Sequence, residues 1–143
     1  MGKPLQNPVH LGLSKLISFA KAAGMDDFLL IGGNVVIAMG VPRFTRDIDL
    51  VIPESDRRRW RELLEKRGFA LINRTESFLQ FEESSENEPR VDLMMVDGAT
   101  WEKLNASAQT VEFAKDKTIG LPAVEHLIAM VCVPNRTISF EIL

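Results

Sequence analysis

Two aspartates in this sequence have the spacing of a metal-binding pair. Asp47 and Asp49 are separated by one residue in the segment "RDIDLVI", which predicts a strand over residues 47–52. Residues two apart in a strand point to the same face of a sheet, so the two carboxylates project together. Carboxylates this close repel each other unless a cation lies between them, and Mg²⁺ prefers such oxygen ligands. The alternative is a solvent-facing strand edge, with Arg43 or Arg46 neutralising the pair.

A third acid, Asp92, interrupts the apolar segment "RVDLMMVD". Val91, Leu93 and Met95 form the alternating apolar set of a strand, so Asp92 points to the opposite face. An aspartate is uncommon in an otherwise apolar strand unless it has a function there. The alternatives are a position at a sheet edge, or a hydrogen-bonded acid in the core.

A pair of glycines precedes the aspartates. Gly32 and Gly33 end a short apolar strand at 28–31, and a brief helix is predicted from Asn34 to Met39. Backbone N–H groups in a glycine turn can approach an anion, and the helix N-terminus adds the positive end of its dipole. The segment therefore predicts a phosphate-binding turn, with a tight strand–helix turn without a ligand as the alternative. The glycines do not form G-x-G-x-x-G, and no Walker lysine follows them.

These residues belong to an alternation of helices and strands that predicts an α/β fold with a mixed sheet. Helices are predicted at residues 8–23, 34–39, 55–67, 100–106 and 123–131. Strands are predicted at residues 28–31, 47–52, 69–73, 77–82, 90–96 and 110–113. No internal repeat or linker interrupts the pattern, so we expect residues 1–143 to form one domain.

Charge and composition exclude several classes of function. The formal net charge is −3, so no global field attracts the chain to nucleic acid or to an anionic membrane. The longest uncharged run, residues 28–41, is too short to span a bilayer, and the first residues have no apolar signal-peptide region. The single Cys132 excludes an internal disulfide and fits a reducing compartment. We expect a cytoplasmic protein without a membrane partner.

The arginine-rich segment "DRRRWRELLEKR" has two interpretations. Its charge is compatible with an RNA-binding stripe on a helix. However, Arg58 and Glu62 are spaced for ion pairing on one helix face, as are Arg61 and Glu65, and Trp60 lies on the apolar side. This spacing favours an ordinary solvated helix face.

In combination, the motifs resemble those of the polymerase-beta-type nucleotidyltransferase superfamily, which has a glycine pair, a D-x-D and a third acidic strand residue. The segment "IGGNVVIAMGVPRFTRDIDLVI" is similar to the AbiEii-like, toxin–antitoxin branch, in which Gly-Gly precedes an R-x-T-x-D-I-D-L run. The residues that match this run are Arg43, Thr45, Asp47, Ile48, Asp49 and Leu50. The resemblance extends over roughly residues 8–131, and the segment after about 131 diverges from the family pattern.

The resemblance implies a single-domain nucleotidyltransferase fold and an enzyme that moves a nucleotide from an NTP to a hydroxyl, releasing pyrophosphate. Asp47, Asp49 and Asp92 would be the catalytic residues and would bind two Mg²⁺ ions together with the NTP. The nucleotide-binding residues would be Gly32, Gly33, Asn34, Arg43, Thr45 and Arg46.

The resemblance also implies a class of partner. The acceptor would be a partner protein, an RNA such as tRNA, or a small molecule, and the chain would have a cognate toxin or antitoxin. The alternative is a catalytically weak or inert member of the fold that binds a nucleotide or a partner protein.

Overall fold

The computed structural model describes residues 8–31, 47–83, 90–114, 116–123 and 126. The helices in these ranges are α1 (Pro8–Ala22), α2 (Arg57–Lys66) and α3 (Gly98–Ala106). The strands are β1 (Leu29–Ile31), β2 (Asp47–Pro53), β3 (Phe69–Arg74), β4 (Phe78–Glu83), β5 (Arg90–Val96), β6 (Gln109–Ala114) and β7 (Lys117–Leu121). In this part of the chain, no helix is long and apolar enough to cross a membrane.

Five strands form one mixed sheet in the order β1-β2-β5-β4-β3. β2 and β5 are parallel, and the other neighbouring strands are antiparallel. A parallel pair needs a long crossover, which here consists of α2, β3 and β4. The crossover brings β5 back beside β2, so β5 is an interior strand and residues 91–96 are buried on both faces. The predicted α/β fold with a mixed sheet is therefore confirmed.

Alternation along β2 and β5 divides the core into two clusters. Ile48, Leu50 and Ile52 point to one face, which we call the core face, together with Val91, Leu93 and Met95. The apolar sides of α1 and α2 pack on this face through Leu13, Leu16, Ile17, Ala20, Trp60, Leu63 and Leu64. The opposite face, which we call the acid face, carries a smaller cluster at one end: Leu29, Ile31, Val51, Met94, Val96, Trp101 and Leu104.

The helix boundaries follow from local chemistry. Gly24 has φ of 75° and ends α1, because glycine adopts the left-handed conformation without a Cβ clash. The Met25 N–H then donates to the Ala20 carbonyl at 2.8 Å, which completes the C-terminal cap of α1. The predicted helix at 55–67 starts later than expected, because residues Glu54–Asp56 form a 3₁₀ turn before Arg57.

The exposed side of α2 agrees with the solvated-face interpretation. Arg58 lies 3.7 Å from Glu62 and Arg61 lies 3.0 Å from Glu65, and all four side chains are exposed. Such surface pairs contribute little stability, so burial of Trp60 anchors the helix instead. The Trp60 ring packs edge-on against Phe28, with centroids 5.6 Å apart.

The strand at Lys117–Leu121 was not predicted, and it pairs with β6 in a second, two-stranded sheet. Its sequence does not indicate a strand, because only Ile119 and Leu121 have buried side chains and the other three residues of the strand are polar or glycine. The predicted helix at 34–39 lies outside the described residues. Of the predicted helix at 123–131, His126 is described as helical.

Candidate active site

The acid face carries Asp49 and Asp92 side by side. The parallel register of β2 and β5 pairs Asp49 with Asp92 and Asp47 with Arg90. Residues paired in register point to the same face, so all three aspartates share the acid face. Asp49 is 4% exposed and Asp92 is 2% exposed, whereas Asp47 is half-buried. Two carboxylates are thus brought together inside the protein by strands that are distant in the chain.

Asp47 stands farther from this pair. It is the first residue of β2, and two residues of strand separate it from Asp49 by about 7 Å. Accordingly, no three acidic, histidine or cysteine residues are grouped closely enough to hold a metal ion within the described ranges. The Asp49–Asp92 pair still fits Mg²⁺, because this ion usually takes one or two carboxylates and completes its shell with phosphate and water.

The end of β1 lies next to the acid pair. β1 runs antiparallel to β2, and its last residue, Ile31, pairs with Asp49. Gly32 and Gly33 follow Ile31 directly in the sequence. In the sequence, the predicted phosphate-binding turn therefore follows directly after the residue that pairs with Asp49.

The predicted nucleotide-binding residues lie outside the described part of the chain. They are Gly32, Gly33, Asn34, Arg43, Thr45 and Arg46. Their assignment stays a prediction.

Helix α3 packs on the acid face at the other end of β2 and β5. Trp101 and Leu104 contact the apolar cluster that contains Val51 and Met94. The Asp97 carboxylate caps the helix by accepting a hydrogen bond from the Thr100 N–H at 2.7 Å. This hydrogen bond holds the pKa of Asp97 below its usual range, because it favours the ionised carboxylate.

A pair of side-chain amides extends the row of polar groups beyond Asp92. Gln80 of β4 pairs in register with Asp92, and Asn73 of β3 pairs with Gln80. The Asn73 Nδ2 donates a hydrogen bond to the Gln80 Oε1 at 3.1 Å. The sequence alone does not single out these residues, because alternation within β4 gives the face of Gln80 but not its neighbour on the next strand.

The described part of the chain also has a cavity of about 430 Å³ on the core face. It lies between α1, α2 and the sheet, where the Arg67 guanidinium stacks 3.7 Å from the centroid of the Phe19 ring. Ile48 and Val91 line it, and these residues alternate with the acids and point away from them. The cavity is therefore separate from the carboxylate pair, and the chemistry of the acids rather than the size of a cavity marks the candidate site.

A family model described as "Nucleotidyl transferase AbiEii toxin, Type IV TA system" matches residues 16–134. The chain belongs to this family. The predicted resemblance to AbiEii-like nucleotidyltransferases is thus confirmed. No curated protein matches the sequence.

Solved structures place the AbiEii family chain in the nucleotidyltransferase fold. It is similar to the lincosamide antibiotic adenylyltransferase LnuA, in a lincomycin-bound structure, with a TM-score of 0.65 and 16% identity over 90% of this chain and 88% of that one. It is also similar to ANT(2'')-Ia in complex with adenylyl-2''-tobramycin, with a TM-score of 0.62 and 20% identity over 80% of this chain and 68% of that one. At these identities the likeness establishes the fold.

Proposed function

We propose that this chain is a metal-dependent nucleotidyltransferase, which moves a nucleoside monophosphate from an NTP to a hydroxyl of a protein, RNA or small-molecule acceptor. The observation that carries the proposal is the in-register pairing of Asp49 with Asp92, in a chain whose family and fold are those of nucleotidyltransferases. The family also supports a place in a toxin–antitoxin system, with a cognate toxin or antitoxin as partner.

Each acid has a proposed role. Asp49 and Asp92 would bind a divalent metal, and Asp47 would contribute when the NTP is present. Bound Mg²⁺ would neutralise the triphosphate and stabilise charge on the entering and leaving oxygens. Asp92 would accept the proton of the acceptor hydroxyl. The hydroxyl oxygen bonds to the α-phosphorus as the bond from that phosphorus to the bridging oxygen breaks, and pyrophosphate leaves with the electron pair.

The nucleotide would extend from the acid pair toward the glycine turn. The pairing of Ile31 with Asp49 supports this direction, because Gly32 follows Ile31 in the chain. The backbone N–H groups after Gly33 would then hold the β- and γ-phosphates, with help from Arg43 or Arg46.

ATP is the first donor to test. LnuA is named as an adenylyltransferase, and the ANT(2'')-Ia structure contains an adenylylated antibiotic. We therefore propose AMP transfer as the leading reaction, with small hydroxyl compounds, tRNA and the product of a neighbouring gene as the acceptors to screen.

The test is transfer of label from α-³²P-ATP to this panel of acceptors in the presence of Mg²⁺, with the other NTPs as competitors. The variant Asp49→Asn should abolish the labelled product. The exposed Asp26 supplies a matched control, since Asp26→Asn removes the same charge outside the sheet. Labelling that is unaffected by Asp49→Asn would contradict the proposal.

The second candidate is an inert member of the fold that binds a nucleotide or a partner protein. The observation that favours it is that no three metal-ligating residues form a group in the described ranges. Such a protein would be stabilised by Mg²⁺ with an NTP in a thermal-shift experiment, yet would transfer nothing. Absence of any stabilisation by metal–nucleotide pairs would indicate a vestigial site.

A further inference from the structure

We propose that Gln80 is a positioning residue for Asp92, and that Asn73 holds Gln80 in the orientation this requires. In this arrangement the Gln80 side-chain amide donates a hydrogen bond to the Asp92 carboxylate. The inference rests on the proposed function, because it assigns Asp92 to the metal and nucleotide site.

Gln80 and Asp92 are direct partners in the antiparallel pair of β4 and β5. Side chains of such partners leave the sheet on the same face, with Cβ atoms about 5 Å apart. Gln80 is half-buried, and Asp92 is buried. A glutamine side chain is long enough to bring its amide to a carboxylate at this distance.

The hydrogen bond from Asn73 decides which end of the Gln80 amide faces Asp92. A carboxylate accepts hydrogen bonds, whereas a glutamine amide has an oxygen that accepts and an NH₂ group that donates. The Asn73 Nδ2 donates to the Gln80 Oε1 from the β3 side. The amide oxygen is thereby turned toward β3, which leaves the NH₂ group for the β5 side, where Asp92 lies. Donation then runs in one direction, from Asn73 to Gln80 to Asp92.

Carboxylates that bind metal are commonly oriented by hydrogen bonds from neighbouring side chains. In the sheet, Asp92 has Asp49 as its neighbour on one side and Gln80 on the other. An amide donor on the far side would fix the carboxylate rotamer and direct its second oxygen toward the space over Asp49.

The test compares Gln80→Leu, which removes the amide, with Gln80→Glu, which keeps the shape but presents an acceptor. Gln109→Leu makes the same change at an exposed position of β6 and serves as the matched control. Affinity for Mg²⁺ with a non-hydrolysable ATP analogue is measured by calorimetry. We expect Gln80→Leu to weaken it by about 10–100-fold, Gln80→Glu to weaken it at least as much, and the control to leave it unchanged.

Steady-state kinetics separates positioning from acceptor binding. We expect Gln80→Leu to lower kcat with little change in the acceptor KM. A raised acceptor KM with unchanged metal–nucleotide affinity would overturn the proposal, because Gln80 would then contact the acceptor instead. Asn73→Leu should have a smaller effect of the same kind, and no additional effect in a Gln80→Leu background.

A double-mutant cycle in the metal-free protein tests the contact between Gln80 and Asp92 independently of the proposed function. Gln80→Leu, Asp92→Asn and the double variant are unfolded in urea with EDTA present. The urea midpoint of the double variant is compared with that of the wild type. A shift that differs from the sum of the two single-variant shifts shows coupling and supports the hydrogen bond, whereas additive shifts overturn it. If Gln80→Leu does not fold, Asn73→Leu, on the edge strand, takes its place in both experiments. If the cycle shows coupling but the wild-type protein does not bind Mg²⁺–nucleotide, the proposed function is refuted and the hydrogen bond is not.

Discussion

Replacement of Asp49 by asparagine should separate catalysis from stability. The variant keeps the size of the side chain and removes one negative charge from the Asp49–Asp92 pair. Neighbouring strands lie about 4.8 Å apart, so the two carboxylates are separated by roughly 5 Å. With both ionised and an effective dielectric constant of about 20, their repulsion is about 3 kcal/mol. In that state, Asp49→Asn would remove this repulsion from the metal-free protein.

The same charge has the opposite effect once Mg²⁺ and an NTP are present. Charge stabilisation by a bound metal ion contributes several kcal/mol in the transition state, and Asp49 would hold that ion in the proposed site. A loss of about 3 kcal/mol corresponds to roughly a hundredfold in rate, since each ~1.4 kcal/mol is tenfold. We expect nucleotide transfer by Asp49→Asn to fall by at least that factor.

Two assays test these two expected effects, on stability without metal and on nucleotide transfer. Urea unfolding in EDTA should show Asp49→Asn to be as stable as the wild type or more stable, by at most about 3 kcal/mol. Labelled-nucleotide transfer should show the loss of activity. A variant that is clearly less stable without metal would contradict this expectation, because the Asp49 carboxylate would then stabilise the fold through a cation such as Arg43 or Arg46.

Three further predictions concern the scaffold. Leu93→Ala, in the fully buried interior of β5, should lower the free energy of unfolding by about 2–5 kcal/mol in urea. A Cβ at Gly120 would lie 2.7 Å from the Leu29 Cδ2, so Gly120→Ala should destabilise by about 1–3 kcal/mol, and Leu29→Ala should remove most of that increment in a double-variant cycle. The ionised Asp97 caps α3, so the cap stabilises the protein fully at pH values above the ordinary aspartate pKa. This stabilisation is lost as the pH falls through the lowered pKa of Asp97. Asp97→Ala should therefore reduce the melting temperature more at pH 7 than at pH 3.

The shared face of the acids follows from the apolar residues around them. Ile48 and Leu50 in β2, like Val91 and Leu93 in β5, must lie in the core, and a strand that buries them turns its intervening residues to the other side. Alternation therefore predicts that Asp49 and Asp92 share a face if the two strands belong to one sheet. Their catalytic and metal-binding roles stay predictions.

Alternation does not predict which residues are neighbours across strands. The pairing of Gln80 with Asp92 depends on β4 inserting beside β5, and the register depends on contacts between distant segments. β7 was missed for another reason, since its burial comes from packing beside β1 and three of its five residues are polar or glycine. In both cases tertiary contacts, and not local preference, decide the structure.

The parallel pairing of β2 with β5 also bears on when the acid pair forms during synthesis. β3, β4 and β5 follow one another as antiparallel neighbours and need only short-range contacts, whereas β2 meets β5 after the whole crossover has been made. Long-range closure of this kind is slow, because chain entropy is lost before the new contacts form. We expect a nascent chain that has not yet exposed β5 outside the ribosome to have no acid pair. The order of the strands would thus delay formation of the proposed metal site until most of the chain has been made.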